Sequence, residues 1–290
     1  MSDTDPALLL GPVQIRALAD ELGLRPSKAR GQNFVIDPNT VRRIVRLAQV
    51  GPEDVVLEVG PGLGSLTLGL VSACAHVTAI EVEPVLARRL PATAREHLGT
   101  AAAGRLSVLE ADALHPPVPL PGPEPTALVA NLPYNVAVPV LLTALGSFPS
   151  ITSGLVMVQL EVADRLVAAP GSRVYGVPSA KLAWYAQARR IGRVGPNVFW
   201  PRPRVDSGLV RFERRQPPDC RTSRDQVFAC VDAAFSQRRK ALRSSLATWA
   251  GGVQAADEVL RRAGVRPSDR GEVLAIEDFA RLADARLDLD

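Results

Sequence analysis

Val56-Leu57-Glu58-Val59-Gly60-Pro61-Gly62-Leu63-Gly64 is the stretch whose reading settles the fold class. Residues 55–59 are short, apolar and β-branched, as a buried strand requires, and the glycines follow where a helix is about to open. Glycine at that point lets the backbone approach a ligand closely, with the amides of the helix N-terminus behind it. Ligand contact is therefore expected at Gly60 and Gly62. The spacing is G-x-G-x-G, whereas a dinucleotide fingerprint has its third glycine one position later, where this chain has Ser65. Alone, the stretch also fits a plain tight strand–helix turn.

Outward from it, strand and helix alternate. A helix is expected near 65–72, a second strand at 76–80 ending at Glu81, a helix at 84–97, and a third strand at 106–109 ending near Asp112. A proline-dense loop (116–125) leads to strands at 127–130 and 155–160, with a helix at 161–168. Upstream, residues 13–22 are amphipathic, 25–34 are basic and turn-rich, and Asp37-Pro38 reads as an N-cap opening a helix to residue 48. Such alternation predicts parallel β-α-β units in a doubly wound α/β sheet. A closing strand at 205–212 and a linker at 216–219 precede an all-helical remainder. The expected division is an N-terminal helical extension (1–25), a ligand-binding domain (26–216) and a helical domain (217–290).

The composition fits two folded domains rather than a disordered chain: 290 residues, 47% hydrophobic and 22% charged. Apolar runs are strand-sized, far short of the ~20 residues a bilayer span needs. The first residues are acidic, without a secretory apolar region, so a cytosolic protein is expected. Cys74, Cys220 and Cys230 form no close pair and the three histidines are scattered, so no metal site is expected. The net charge of +4 permits a nucleic-acid partner without demonstrating one.

Two acids sharpen the reading. Glu81 follows the glycine turn by about 20 residues, where a carboxylate accepts hydrogen bonds from both ribose hydroxyls. Asp112 ends the next strand, where an acid can accept from an adenine amino group. Either acid singly is as well explained as a solvated loop carboxylate. In register with the glycine turn, the set suits an adenosyl ligand without an essential pyrophosphate contact, namely S-adenosylmethionine.

Asn131-Leu132-Pro133-Tyr134 follows the fourth strand. An adenine amine is a poor nucleophile because its lone pair is delocalised into the ring. The Asn131 side-chain carbonyl and the Leu132 main-chain carbonyl can accept its two N–H bonds and favour a pyramidal nitrogen. Pro133 fixes the turn, and Tyr134 offers a flat face for the base. Positive charge grows on the amine as a methyl group arrives, and preplaced carbonyl dipoles stabilise it. The competing reading is an Asn-x-Pro turn capped by a buried tyrosine.

These residues resemble the small-subunit ribosomal RNA adenine dimethyltransferases, the KsgA/Dim family, from about Ile15 to near the C-terminus. The matching segments are Gly31-Gln32-Asn33-Phe34, Glu58 through Gly64, Ile80-Glu81, Asp112-Ala113, Asn131 through Asn135, Val198 through Ser207, and Phe235-Ser236-Gln237-Arg238-Arg239-Lys240. The resemblance implies a seven-stranded, mostly parallel methyltransferase sheet of Rossmann-like type with a small C-terminal helical domain. It implies that Asn33 and the backbone of Val35 close over the methionine end of the cofactor, with Gly60 beneath. Glu81 then holds the ribose, Asp112 the adenine, and Asn131 touches cofactor and target amine. Phe199 is expected to stack on the flipped adenine opposite Tyr134. The family dimethylates two adjacent adenosines near the 3′ end of small-subunit ribosomal RNA. Val35 stands where the family usually has Leu, and Trp200 where members vary.

A paired, stacked base cannot be methylated at its amine, so the target must be single-stranded or extruded. Expected RNA grips are Lys28, Arg30, Arg202, Arg204, Arg238, Arg239 and Lys240, each of which could instead be a solvated basic face. The partner implied is small-subunit RNA within a pre-ribosomal particle, bound by a monomer. Two other readings stay open: a macrolide-resistance methyltransferase acting on large-subunit RNA, and a non-catalytic RNA-binding assembly factor on a cofactor fold.

Overall fold

A computed structural model describes residues 9–24 and 33–289. In chain order the elements are α1 (Pro12–Glu21), β1 (Phe34–Val35), α2 (Pro38–Ala48), β2 (Val55–Val59), α3 (Ser65–Ala73), β3 (His76–Glu81), α4 (Pro84–Ala103) and β4 (Leu106–Glu110). There follow β5 (Ala127–Asn131), α5 (Ala137–Ser147), β6 (Ser153–Gln159), α6 (Leu160–Leu166), α7 (Val177–Tyr185), β7 (Ala186–Val194), β8 (Phe199–Trp200) and β9 (Ser207–Arg214). The last helices are α8 (Arg224–Ser236), α9 (Leu242–Ser245), α10 (Ala247–Ala250), α11 (Val253–Ala263) and α12 (Ile276–Leu287).

Seven strands form one sheet in the order β4-β3-β2-β5-β6-β9-β7. β4, β3, β2, β5 and β6 run parallel, and β9 returns antiparallel to β6. The chain leaves β2 towards β3 on one side and later returns to place β5 on the other. That reversal of strand order opens a crevice at the carboxyl ends of β2 and β5, the place where such sheets bind ligands. The glycine turn follows β2 and the Asn131 turn ends β5, so both motifs flank it.

Local chemistry explains the frame. The β2 strand is buried along most of its length, as a central parallel strand must be, and Glu58 is its one charged residue. In α2, Pro38 occupies the first helical position and the Asp37 carboxylate accepts from the N–H groups of Asn39 and Thr40 at 3.4 and 2.9 Å. Its buried Val41, Ile44 and Ala48 recur at helical spacing and face the core.

The chain divides into two compact units, residues 1–163 with 189–214, and residues 164–188 with 215–290. Residues 164–188 group with the C-terminal helices. There Trp184 and Tyr185 meet Phe228 edge-on, each with centroids 6.1 Å apart, and Lys181 Nζ donates to Asp232 at 2.8 Å. Within the expected N-terminal extension, Ile15, Leu18 and Ala19 of α1 are buried in the core of the first unit. Within the second unit, Ser223 caps α8 reciprocally with Gln226, and Tyr175 Oη donates to the Leu274 carbonyl at 2.8 Å.

Candidate active site

A cavity of about 300 Å³ lies at the crevice between β2 and β5. It is lined by the glycine turn, by Glu81 at the tip of β3, by the Asn131–Tyr134 turn and by the segment 33–35. The strand register makes this convergence. Val59 pairs with Ile80, and the next amide, Gly60 N–H, donates to the Ile80 carbonyl at 2.9 Å, which sets the turn beside Glu81.

Main-chain donors fix the Glu81 carboxylate in place. Its Oε2 accepts from Gly62 N–H and its Oε1 from Glu83 N–H, each at 3.0 Å, although the residue is only 5% exposed. Burial pushes its carboxyl up from the usual range, and main-chain donors at Glu83, Gly62 and Val82 oppose that shift. Each carboxylate oxygen keeps a lone pair for a vicinal diol. Gly62 has φ +60°, and a Cβ there would sit 2.8 Å from Phe34 Cε1, so only glycine lets the Phe34 ring close over the turn.

Two hydrogen bonds tie the segment 33–35 down. Asn131 Nδ2 donates to the Asn33 carbonyl at 3.1 Å, and Ser65 Oγ donates to the Val35 carbonyl at 2.6 Å. The first bond has a chemical consequence. An amide nitrogen can only donate and a main-chain oxygen only accept, so the bond orients the Asn131 side chain and leaves Oδ1 as its acceptor. Leu132 lines the cavity while its N–H donates to the Met157 carbonyl at 3.0 Å, anchoring the turn to β6. Tyr134 is half-buried, and its hydroxyl meets Ser207 Oγ at 2.8 Å. Burial pushes its phenol pKa up, so the ring presents as a neutral face.

Of the expected cofactor contacts, Asn33, Val35, Gly60, Gly62, Glu81 and Asn131 line the cavity. Asp112 does not. It lies just past β4, beside Glu81 through the Ala111 N–H bond to the Glu81 carbonyl at 3.1 Å, and its Oδ1 accepts from Leu114 N–H at 2.9 Å. Phe199 departs from expectation. It pairs with Val35 in the two-stranded β1–β8 sheet and is 2% exposed within the core, so it has no face to offer a base. Trp200, its neighbour, stacks on Phe34 with centroids 6.3 Å apart.

Arg238 also departs. Its guanidinium donates to the Arg173 and Tyr175 carbonyls at 2.6 and 2.9 Å and pairs with Glu272 at 3.4 Å, a role internal to the second unit. Arg202, Arg204, Arg239 and Lys240 are exposed. Lys28 and Arg30 lie outside the described residues. Among the described residues no cluster of three or more His, Cys, Asp or Glu could hold a metal ion, and no helix is long and apolar enough to cross a membrane.

Sequence reasoning missed Glu58, Ser65, Phe34 and Val82 as cavity residues. Ser65 was visible as the residue displacing a fingerprint glycine, and Glu58 as a charge inside a buried strand. Val82 stays 62% exposed at the cavity and offers an apolar wall.

The family model described as ribosomal RNA adenine dimethylase matches residues 25–286. A protein of Thermobifida fusca named ribosomal RNA small subunit methyltransferase A is 61% identical over 98% of this chain and 99% of its own length. Its namesake in Streptomyces coelicolor is 60% identical over 99% of this chain and 100% of its own. Among solved structures, a dimethyladenosine transferase from Plasmodium falciparum has a TM-score of 0.70 at 21% identity, covering 86% of this chain and 95% of that one, a likeness of fold. The 23S rRNA methyltransferase ErmE has a TM-score of 0.61 at 28% identity, covering 88% and 100%.

Proposed function

This chain belongs to the ribosomal RNA adenine dimethylase family, and from that premise we propose that it transfers methyl groups from S-adenosylmethionine to the N6 amines of two adjacent adenosines near the 3′ end of small-subunit ribosomal RNA. The observation that carries the reading is the Asn131 amide: its nitrogen is spent on the Asn33 carbonyl, so its oxygen is left beside a cavity that suits an adenosyl ligand.

The residues fit the cofactor. Glu81, with its amide-anchored carboxylate, holds the ribose; the main chain at Gly60 and Gly62 lies against the methionine portion; and Asn33 and Val35 close over it. Asp112 lies outside the cavity lining, and its role at the adenine edge rests on the family resemblance alone. When bound, S-adenosylmethionine supplies an electrophilic methyl group on a sulfonium. Asn131 Oδ1 and the Leu132 carbonyl accept the two N–H bonds of the target amine and direct its lone pair outward. Pro133 fixes the geometry of that turn, and the Tyr134 ring supports the extruded base. As positive charge develops on nitrogen, the two oxygens stabilise it without needing to reorganise. The proton lost after transfer goes to solvent.

RNA is gripped by Arg202, Arg204, Arg239 and Lys240, with Lys28 and Arg30 contributing near the cofactor. The substrate is small-subunit RNA within a pre-ribosomal particle, and the protein acts as a cytoplasmic monomer. The likeness to ErmE favours one alternative, methylation of large-subunit RNA. The 60–61% identity to small-subunit enzymes over nearly the whole chain outweighs it.

Incubation with unmethylated small subunits, large-subunit RNA and isotopically labelled donor tests the assignment. Mass spectrometry of nuclease fragments should find N6,N6-dimethyladenosine at two adjacent small-subunit positions. Label confined to large-subunit RNA would overturn the substrate, and label in neither would leave the assembly-factor reading.

A further inference from the structure

Three carboxyl side chains, Glu58, Glu81 and Glu83, line the cavity, and none of the described residues lining it is Lys, Arg or His. Its two buried carboxyls also differ. Both Glu81 oxygens accept main-chain N–H groups, which supports that side chain as an anion. Glu58 is 1% exposed, and its Oε2 is buried with no hydrogen-bond partner. A buried carboxylate with one oxygen unpartnered and no counter-charge among the described lining residues is the costly form of that group, and nothing in the transfer chemistry uses it.

We propose that Glu58 senses the charge of whatever occupies the cavity: it is an uncharged acid when the site is empty or holds the thioether product, and a carboxylate when the cationic donor is bound, so that donor binding releases a proton to solvent. This rests on the reading of the cavity as an S-adenosylmethionine site.

The surroundings support the assignment. β3 brings Glu81, the turn after it brings Glu83, and the turn after β5 brings Tyr134, a phenol that burial keeps protonated. From α3 comes the Thr67 hydroxyl, an uncharged donor that opposes the shift without supplying a counter-charge. Burial, reinforced by the Glu81 charge, pushes the Glu58 carboxyl up to about 8. The compensating positive charge can therefore come from the ligand. S-adenosylmethionine carries a sulfonium, an ammonium and one carboxylate, for a net charge of +1. Transfer removes the sulfonium charge and leaves a thioether of net charge zero. A group that ionises only for the former favours exchange of spent product for fresh donor, which matters to an enzyme performing four transfers per substrate.

The sign of the pH dependence follows. The free carboxyl is protonated below about pH 8 and the donor binds its ionised form. Donor affinity should therefore rise by close to tenfold per pH unit between about pH 6 and 8 and level off above, while product affinity stays flat.

Calorimetry of the full chain at pH 7, in two buffers of different ionisation enthalpy, tests this with S-adenosylmethionine and S-adenosylhomocysteine in turn. Nearly one proton should leave on donor binding and none on product binding. Glu58→Gln copies the neutral acid, so it should abolish the release and narrow the preference for donor over product by about tenfold, the worth of one pKa unit. Donor binding that shows no buffer dependence in the wild-type chain overturns the proposal, whatever the variant does. So does a release that persists in E58Q. If neither ligand binds, the cofactor reading itself fails, a result distinct from both binding without a proton.

Discussion

Asn131 separates two kinds of hydrogen bond on one side chain. Nδ2 ties down the segment at residue 33, which leaves Oδ1 as the acceptor that the proposed reaction assigns to the substrate amine. Asn131→Ala removes both, and by analogy with the loss of one oxyanion-hole donor it should lower kcat by about 10²–10³. Asn131→Asp is the sharper test, because it keeps acceptor oxygens while losing the donor. A carboxylate there faces the Asn33 carbonyl without a proton between them, so the segment should be released. We expect the Asp variant to raise the donor Kd more than the Ala variant does, measured by calorimetry without RNA. Equal donor affinities for the two would show that the Asn33 bond does not organise the cofactor site. The same opposition of burial and donors governs the two glutamates: Glu81 is given two amides, whereas Glu58 is given none for its Oε2.

At the scale of elements, the two-residue strands β1 and β8 join the cavity-lining segment 33–35 to the stretch before Arg202. Phe34 bridges them by packing on Gly62 on one side and stacking with Trp200 on the other. Gly62→Ala should strike both, because a left-handed backbone costs a β-carbon about 1–2 kcal/mol and the new methyl displaces the Phe34 ring. Donor affinity should fall by about tenfold or more, with the second unit's stability unchanged when measured by hydrogen exchange of α8 and α12. The parallel core of this architecture was legible in the sequence. Residues 55–59, Glu81 and Asp37-Pro38 each announced their element through β-branching, strand-end acidity or an N-cap with proline. The β1–β8 pairing was not legible, because two-residue strands carry no period and their partners lie about 165 residues apart in sequence. The stacking role expected of Phe199 came from the family resemblance, whereas the residue pairs with Val35 and is buried in the core. Grouping residues 164–188 with the C-terminal helices was equally hidden, since a discontinuous unit is defined by contacts such as Trp184 on Phe228 and not by local composition.

For the whole molecule, a net charge of +4 says less than where the charges are committed. Among three consecutive cations, Arg238 is bound to two carbonyls and a carboxylate within its own unit, while Arg239 and Lys240 extend outward. One basic run therefore holds two physical roles, and substitution should separate them. Arg238→Ala strands two carbonyls and frees Glu272, so it should lower the unfolding free energy of the second unit by about 1 kcal/mol, read from the urea midpoint. Arg239→Ala with Lys240→Ala should leave that midpoint unchanged. If the two side chains contact phosphates, the double substitution should instead weaken RNA binding and reduce the slope of log K against log salt by about 1.4, from ~0.7 per phosphate contact on a single strand. Donor affinity should not move, because neither residue lines the cavity. An unchanged salt slope would mean that these cations are merely a solvated face, and the phosphate grip would then have to come from Arg202 and Arg204 or from other basic residues.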